Sequence, residues 1–248
     1  MCGRFVATTP SGVLAARFSV DEIADEGPAP SWNVAPTADV RAVVRSRRTG
    51  ARRLGTLRWG LVPHWAEHIS VGAKMINARA ETVASKPAFR DALARRRCII
   101  PADGFYEWQS VGGGKLKQAY LVRRADGEPM ALAGLWESWR PPDATEDEWL
   151  RTCAIVTTRA NDDLLTIHPR MPVVLGSEAW EGWLDSDMLD AEAAVALLGP
   201  APTDALVHYP VGNAVNDARH DGPELAEPLA SVAAGGEDPE PPSGARSR

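Results

Sequence analysis

Eight short runs of residues punctuate this chain, at 4–8, 40–45, 54–59, 98–108, 118–123, 130–139, 152–157 and 172–175. Each carries β-branched or aromatic residues and is bounded by Gly, Pro or Asp, the pattern of strands closed by turns. Helical stretches are fewer: 11–18, 86–95, 177–184, with Ser177 as an N-cap before Glu178, and 190–198. The balance predicts an α+β fold with a mostly antiparallel, barrel-like β-sheet core and peripheral helices. Gly112-Gly113-Gly114 is expected to connect a hairpin between the run at 118–123 and the one before it. It is no phosphate cradle of the P-loop kind, because Lys115 is followed by Leu116 rather than Ser or Thr.

Across 248 residues no apolar run reaches the length of a membrane span of roughly 18 residues, and 44% of residues are hydrophobic, as in globular proteins. The start, Met1-Cys2-Gly3-Arg4-Phe5, lacks a signal-peptide core, so a cytoplasmic address is expected, at the nucleoid when DNA is bound. Residues 1–228 read as a single domain, and 229–248, rich in Gly, Pro and charge, as a disordered tail. Net charge is −6, but residues 1–125 hold 20 Lys and Arg against 10 Asp and Glu, while 126–248 hold 7 against 23; +10 and −16 sum to −6. The basic half could offer a phosphate-binding surface, or the charges could simply mix on folding.

Of three cysteines, Cys98 and Cys153 sit in apolar runs and read as core residues, and no C-x-x-C spacing indicates a metal knuckle or a disulfide framework. Cys2 differs. Loss of the initiator methionine before a small residue would leave a 1,2-aminothiol at the chain end. An α-amine titrates near about 7.7–8.0, against roughly 10.4 for lysine, so part of it is neutral and nucleophilic at physiological pH. The amine can condense with an aldehyde to an imine, and the thiol can then close a five-membered thiazolidine. An internal cysteine cannot do this, since its nitrogen is an amide. The alternative is a second residue with no role beyond packing.

Such a site needs an acid/base, an orienting group and anchors. Glu107, between Tyr106 and Trp108, faces either solvent or a desolvated pocket where its pKa rises. Strand alternation places it on the face of Phe105, with Tyr106 and Trp108 on the other. His168, before Pro169 and Arg170, is a proton shuttle or a hydrogen-bonded structural histidine. Asn77 and Arg79, two residues apart, could orient the amine and hold a phosphate; Arg170 could hold another. Trp59, Trp65 and Trp108 offer surface on which unpaired bases stack.

MCGRF at 1–5, WNVAPT at 32–37, RWGLVPHWA at 58–66, INARAET at 76–82, PADGFYEW at 101–108, IHPRMPVVL at 167–175 and VGNAVND at 211–217 occur in one order along the chain. In these segments the chain resembles the SRAP family, SOS response-associated peptidase-like proteins that shield abasic sites in DNA. The resemblance implies that Cys2 is the crosslinking aminothiol, that Asn77 positions it, that Glu107 is the acid/base and that His168 assists proton transfer at the deoxyribose. It implies that Arg4, Arg79 and Arg170 hold flanking phosphates and that Trp65 packs against bases. Pro169 stands where the family usually has an acidic or amide residue. The implied partner is single-stranded DNA carrying an abasic site, bound by a monomer, with no cofactor or metal and no membrane, and with a minor strand-cutting (AP-lyase) activity through the imine. The open aldehyde of an abasic sugar is the electrophile an aminothiol traps, and a single strand spares the cost of unstacking.

Three rival readings remain open. A thiol autopeptidase would use Cys2 as nucleophile with His168 and Glu107. A zinc enzyme would use His64-Trp65-Ala66-Glu67-His68, which needs a helix and a third ligand. A DNA-binding module without catalysis would not need Cys2 at all.

Overall fold

The computed structural model describes residues 2–112, 116–144, 148–188 and 190–229. Its strands are β1 (Phe5–Ala7), β2 (Glu22–Ile23), β3 (Ser31–Val34), β4 (Asp39–Arg45), β5 (Arg52–Trp59), β6 (Asn77–Arg79), β7 (Arg97–Ala102), β8 (Gly104–Ser110), β9 (Lys117–Arg124), β10 (Met130–Trp139), β11 (Leu150–Arg159), β12 (Arg170–Pro172) and β13 (Leu206–Pro210). Short α-helices lie between them: α1 (Ser11–Arg17), α2 (Arg90–Arg95), α3 (Asp162–Leu165), α4 (Trp180–Leu184) and α5 (Ala191–Ala196).

Neighbouring strands β5, β4, β7, β10 and β11 pair antiparallel in that order, and a parallel pairing of β11 with β5, Thr152 to Arg58 and Cys153 to Trp59, closes them into a barrel. Period-two alternation sorts the side chains. Val40, Ala42, Leu57, Trp59, Cys98, Ile100, Leu132, Cys153 and Ile155 fill the interior. Val43, Leu54, Ile99, Ala133, Ala154 and Val156 face outward, where Phe18, Leu93, Trp183 and Leu184 of the helical layer cover them. The α+β, barrel-like expectation holds, and closure removes the sheet edges that an open arrangement would expose.

A second sheet, in the order β13-β9-β8-β1-β3, packs against this barrel. Its Phe5, Phe105 and Val122 belong to the barrel's interior cluster, with Phe5 set edge-on to Trp59 at 5.0 Å between ring centres. Its other face, with Val6, Tyr106 and Leu121, is covered by Val211, Val215 and Leu225. The run at 98–108, read from sequence as one strand, divides at Asp103. That carboxylate accepts hydrogen bonds from the backbone amides of Thr8 and Thr9, and the chain passes there from the barrel to the second sheet. β8 and β9 form the expected antiparallel hairpin, from Phe105 opposite Val122 to Ser110 opposite Lys117. Gly113 and Gly114, expected in the hairpin connection, with Lys115 and residues 230–248, lie outside the described residues.

Several boundaries differ from expectation. Pro87 biases Lys86 away from helical dihedrals, so 86–89 forms turns and α2 begins only at Arg90. Ser177 is the first residue of a 3-10 turn rather than an N-cap; Gly176 holds the cap position. The strand expected at 172–175 is β12, ending at Pro172, with Val174 adding a single bridge to Leu132. β2, β3, β6 and β13 were not anticipated, being two to five residues long. No helix among the described residues is long and apolar enough to cross a membrane.

Two glycines fix the approach to β6. Gly60 has φ +133°, a conformation L side chains avoid, and a Cβ there would lie 2.7 Å from the Gly72 carbonyl oxygen. A Cβ on Gly72 would in turn run into the carbonyl of Gly60. Gly72→Ala is expected to destabilise the protein by about 1–3 kcal/mol, the usual cost of overpacking. A urea titration would show it as a lower midpoint at unchanged slope; an unchanged midpoint would mean that this crossing is loose.

Candidate functional site

Four segments distant in sequence bring the candidate residues together. The chain leading into β1 carries Cys2 and Arg4. β1 pairs with β8, Phe5 opposite Phe105, and the Arg4 carbonyl accepts the Tyr106 amide at 2.9 Å, so the chain start runs beside Glu107. β6 lies parallel to β11, Ile155 opposite Asn77 and Thr157 opposite Arg79. The turn after α3 supplies His168, and β12 begins with Arg170.

Cys2 is fully buried, and Asn77 Nδ2 donates to its carbonyl at 2.8 Å. Asn77 Oδ1 is itself buried and has no donor among the described residues. Burial pushes the Cys2 thiol well above its ordinary range, and the nearby Glu107 carboxylate pushes it further; the Arg4 backbone amide, bonded to the sulfur, opposes both.

Glu107, only 4% exposed, points inward from β8 on the Phe105 face, as alternation requires. Burial raises its pKa above the usual 4.5, with His168 acting in the other direction. His168 Nδ1 lies 4.0 Å from Glu107 Oε2 and 3.0 Å from both the amide nitrogen and the carbonyl oxygen of Arg170. Without a proton Nδ1 accepts from that amide; with one it donates to that carbonyl. Pro169 therefore does not leave the ring unanchored: the backbone one residue further on holds it.

The anchors divide. Arg79 is exposed at the end of β6. Arg170 is half-buried and paired through both terminal nitrogens with Glu81, at 3.0 Å each, and it also donates to the Thr157 carbonyl at 2.6 Å. Arg4 donates to Asn33 Oδ1 and the Val215 carbonyl, both at 2.8 Å, and its Nε is buried without an acceptor among the described residues. Trp65, 56% exposed on a turn, does not line the cleft at Glu107. Trp59 is no stacking surface; it is buried in the barrel, with its Nε1 donating to the Ile76 carbonyl.

A cleft of about 680 Å³ opens beside Glu107 and His168, walled by Trp108, Leu116, Lys117, Asn213 and Asn216. Trp108 Nε1 donates to Asn216 Oδ1 at 2.7 Å, which fixes the indole at the rim. Lys117, Asn213 and Asn216 were not singled out from sequence, although both asparagines fall in the 211–217 segment. Asn33 was also missed: it is buried, takes the Arg4 bond and donates to the Asp217 and His220 carbonyls, joining the chain start to that segment. The zinc reading fails on geometry. His64 to His68 form turns rather than a helix, His64 faces Glu137, and no group of three or more metal-ligating side chains occurs among the described residues.

The family model for SOS response associated peptidase (SRAP) matches residues 1–218. The chain belongs to the SRAP family. It is 40% identical over 228 residues to "Abasic site processing protein YoqW" of Bacillus subtilis (strain 168), covering 92% of this chain and 99% of that one. It is 32% identical over 234 residues to "Abasic site processing protein YedK" of Escherichia coli (strain K12), covering 92% and 100%. A solved structure of a Bacteroides thetaiotaomicron protein superposes with a TM-score of 0.79 at 25% identity, covering 92% of this SRAP chain and all of that one.

Glu107 titrates higher in the folded chain than at its ordinary 4.5, so folding favours its protonated form. Its contribution to stability is full below that ordinary value and is lost as pH rises through the raised folded one. Glu107→Gln, which cannot ionise, should therefore melt higher than the parent at neutral pH, with the difference vanishing below pH 4.5. Thermal melts across that range check this; a lower melting point at neutral pH would show that the buried carboxylate stabilises the fold.

Proposed function

We propose that this SRAP protein processes abasic sites in single-stranded DNA, and that it does so by forming a covalent thiazolidine between Cys2 and the ring-opened sugar. The observation that carries this reading is Asn77 holding the Cys2 backbone at 2.8 Å, with burial and, after it, the nearby Glu107 carboxylate raising the pKa of the thiol, and His168 within 4.0 Å of that carboxylate. The names of the relatives point to the same substrate.

Removal of Met1 frees the α-amine of Cys2. Asn77 Oδ1, without a donor among the described residues, accepts from that amine and turns its lone pair toward the incoming carbonyl. The nitrogen attacks C1′ of the open-chain sugar, and water leaves to give an imine. The sulfur then adds to the same carbon while its proton passes by way of Glu107 to the nitrogen. The sum is aminothiol plus aldehyde giving thiazolidine plus one water. A carboxyl held above its usual pKa can give a proton to the departing hydroxyl and take one from the thiol. His168 serves ring opening of the sugar and, in reverse, release. Loss of the C2′ proton at the imine stage would expel the 3′ phosphate, the minor lyase route.

The thiol autopeptidase is the weaker reading. It needs a thiolate as the first nucleophile, and the buried Cys2 thiol is held in its protonated form. In the aminothiol route the amine acts first and needs no such tuning. Arg79 and the cleft rim at Trp108 and Lys117 would hold the strand through phosphates and stacking. Arg170 would join them by exchanging Glu81 for a phosphate.

A denaturing gel with an abasic single strand tests this. Cys2→Ser keeps the amine and loses the sulfur, so its adduct should survive only after borohydride reduction, with more strand cleavage than the parent. Asn77→Ala should slow adduct formation by about tenfold, the upper end of what one hydrogen bond is worth. A full-strength adduct from Cys2→Ala, or none from the parent, contradicts the proposal.

A further inference from the structure

The barrel end where β11 begins is built unlike the rest of its interior. Five interior rows run toward it: Val40-Ala42-Val44, Leu57-Gly55-Arg53, Ile100-Cys98-Arg96, Leu132-Gly134-Trp136 and Ile155-Cys153-Arg151. Three of them end in arginine, and a fourth ends in Trp136, which lines the same cavity. Arg95, Arg96, Arg53, Arg151 and Trp136 line one cavity of about 470 Å³.

Acidic neighbours do not neutralise this mouth. Asp185 and Asp187 also line it, but they face Arg45 at 3.3 Å and Arg47 at 3.6 Å. Arg96 pairs with Glu137 and Arg53 with Glu22, each through one terminal nitrogen. The Nε of Arg96 and the Nε of Arg53 are both buried with no acceptor among the described residues. Arg95 and Arg151 are exposed and have no carboxylate within ion-pair distance among the described residues. Two buried cationic donors without acceptors, two further guanidiniums without a carboxylate partner among the described residues, and an indole in the same lining describe a site for a multiply charged oxyanion.

We propose that this mouth binds phosphate groups, as a second anion site separate from the Cys2 cleft. From Arg151 to Thr157, which touches Arg170, β11 runs six residues, roughly 20 Å at the usual rise per strand residue. A ligand here therefore does not occupy the Cys2 cleft. The phosphates could belong to a nucleic-acid strand or to a free polyphosphate, and the chemistry of recognition is the same.

Inorganic pyrophosphate is the first probe, with sodium chloride at matched ionic strength as control. It should raise the melting point of the full chain, and Arg53→Gln with Arg151→Gln should weaken that binding by about tenfold or more. Either substitution alone should give a partial loss, which separates the effect from misfolding. Adduct formation with a short abasic strand should be unchanged in the double variant, so failure here is distinguishable from failure at Cys2. An undamaged single strand that displaces pyrophosphate identifies nucleic acid as the source; pyrophosphate that stays bound identifies a free polyphosphate. No melting shift with pyrophosphate, or an equal shift in the double variant, overturns the proposal.

Discussion

A single amide, Asn77 Nδ2 on the carbonyl of Cys2, ties the start of the chain to the barrel. The rest of the fold stands behind that contact. β6 can present Asn77 because β11 pairs with it in parallel, and the Ile76 carbonyl accepts from both the Ile155 amide and the Trp59 indole. Trp59 is placed by the same β5–β11 pairing that closes the barrel. The crossing of Gly60 and Gly72 leaves room for the loop that leads into β6. From the other side, β1 on β8 brings Cys2 alongside Glu107.

Cys2 and Glu107 are both buried, and burial acts on these two acidic groups in one direction. Both the thiol and the carboxyl are biased toward their neutral forms by burial. A buried thiol in that state is a poor first nucleophile and a protected one, since reactivity follows the thiolate. A carboxyl in that state holds its proton more tightly than a solvated one and can pass it between groups. In the proposed reaction an α-amine needs neither effect, so a chain terminus suits imine formation better than a lysine would. The cleft walls beyond Glu107 are polar and aromatic, suited to a phosphate and base chain rather than to a compact apolar ligand.

Much of this was legible in the sequence where local patterning decides the outcome. The long strands follow from alternation, and the Glu107 face follows from Phe105 and Tyr106. The short strands did not announce themselves, because β6 has three residues and owes its conformation to β11, a partner more than 70 positions away. Arg170 read as a phosphate ligand by type and Arg4 by the family resemblance, yet their guanidiniums are engaged with Glu81 and Asn33. Nothing within either residue's neighbourhood in sequence predicts those partners. Trp59 looked like Trp65 as a residue type, but only the closed barrel separates a core indole from an exposed one. Arg53 and Arg151 continue interior rows of β5 and β11 at the barrel mouth, a departure visible only once the interior is known.

The proposed reaction turns on which atoms of this chain bond to the sugar. Intact-mass measurement of the protein after reaction with an abasic strand, followed by peptide mapping of the adduct, tests it most directly. The predicted product lacks Met1, equals protein plus strand minus one water without any reductant, and carries the DNA on the peptide that begins at Cys2. An adduct mapped to an internal lysine, or one formed on chains that retain Met1, would contradict the account.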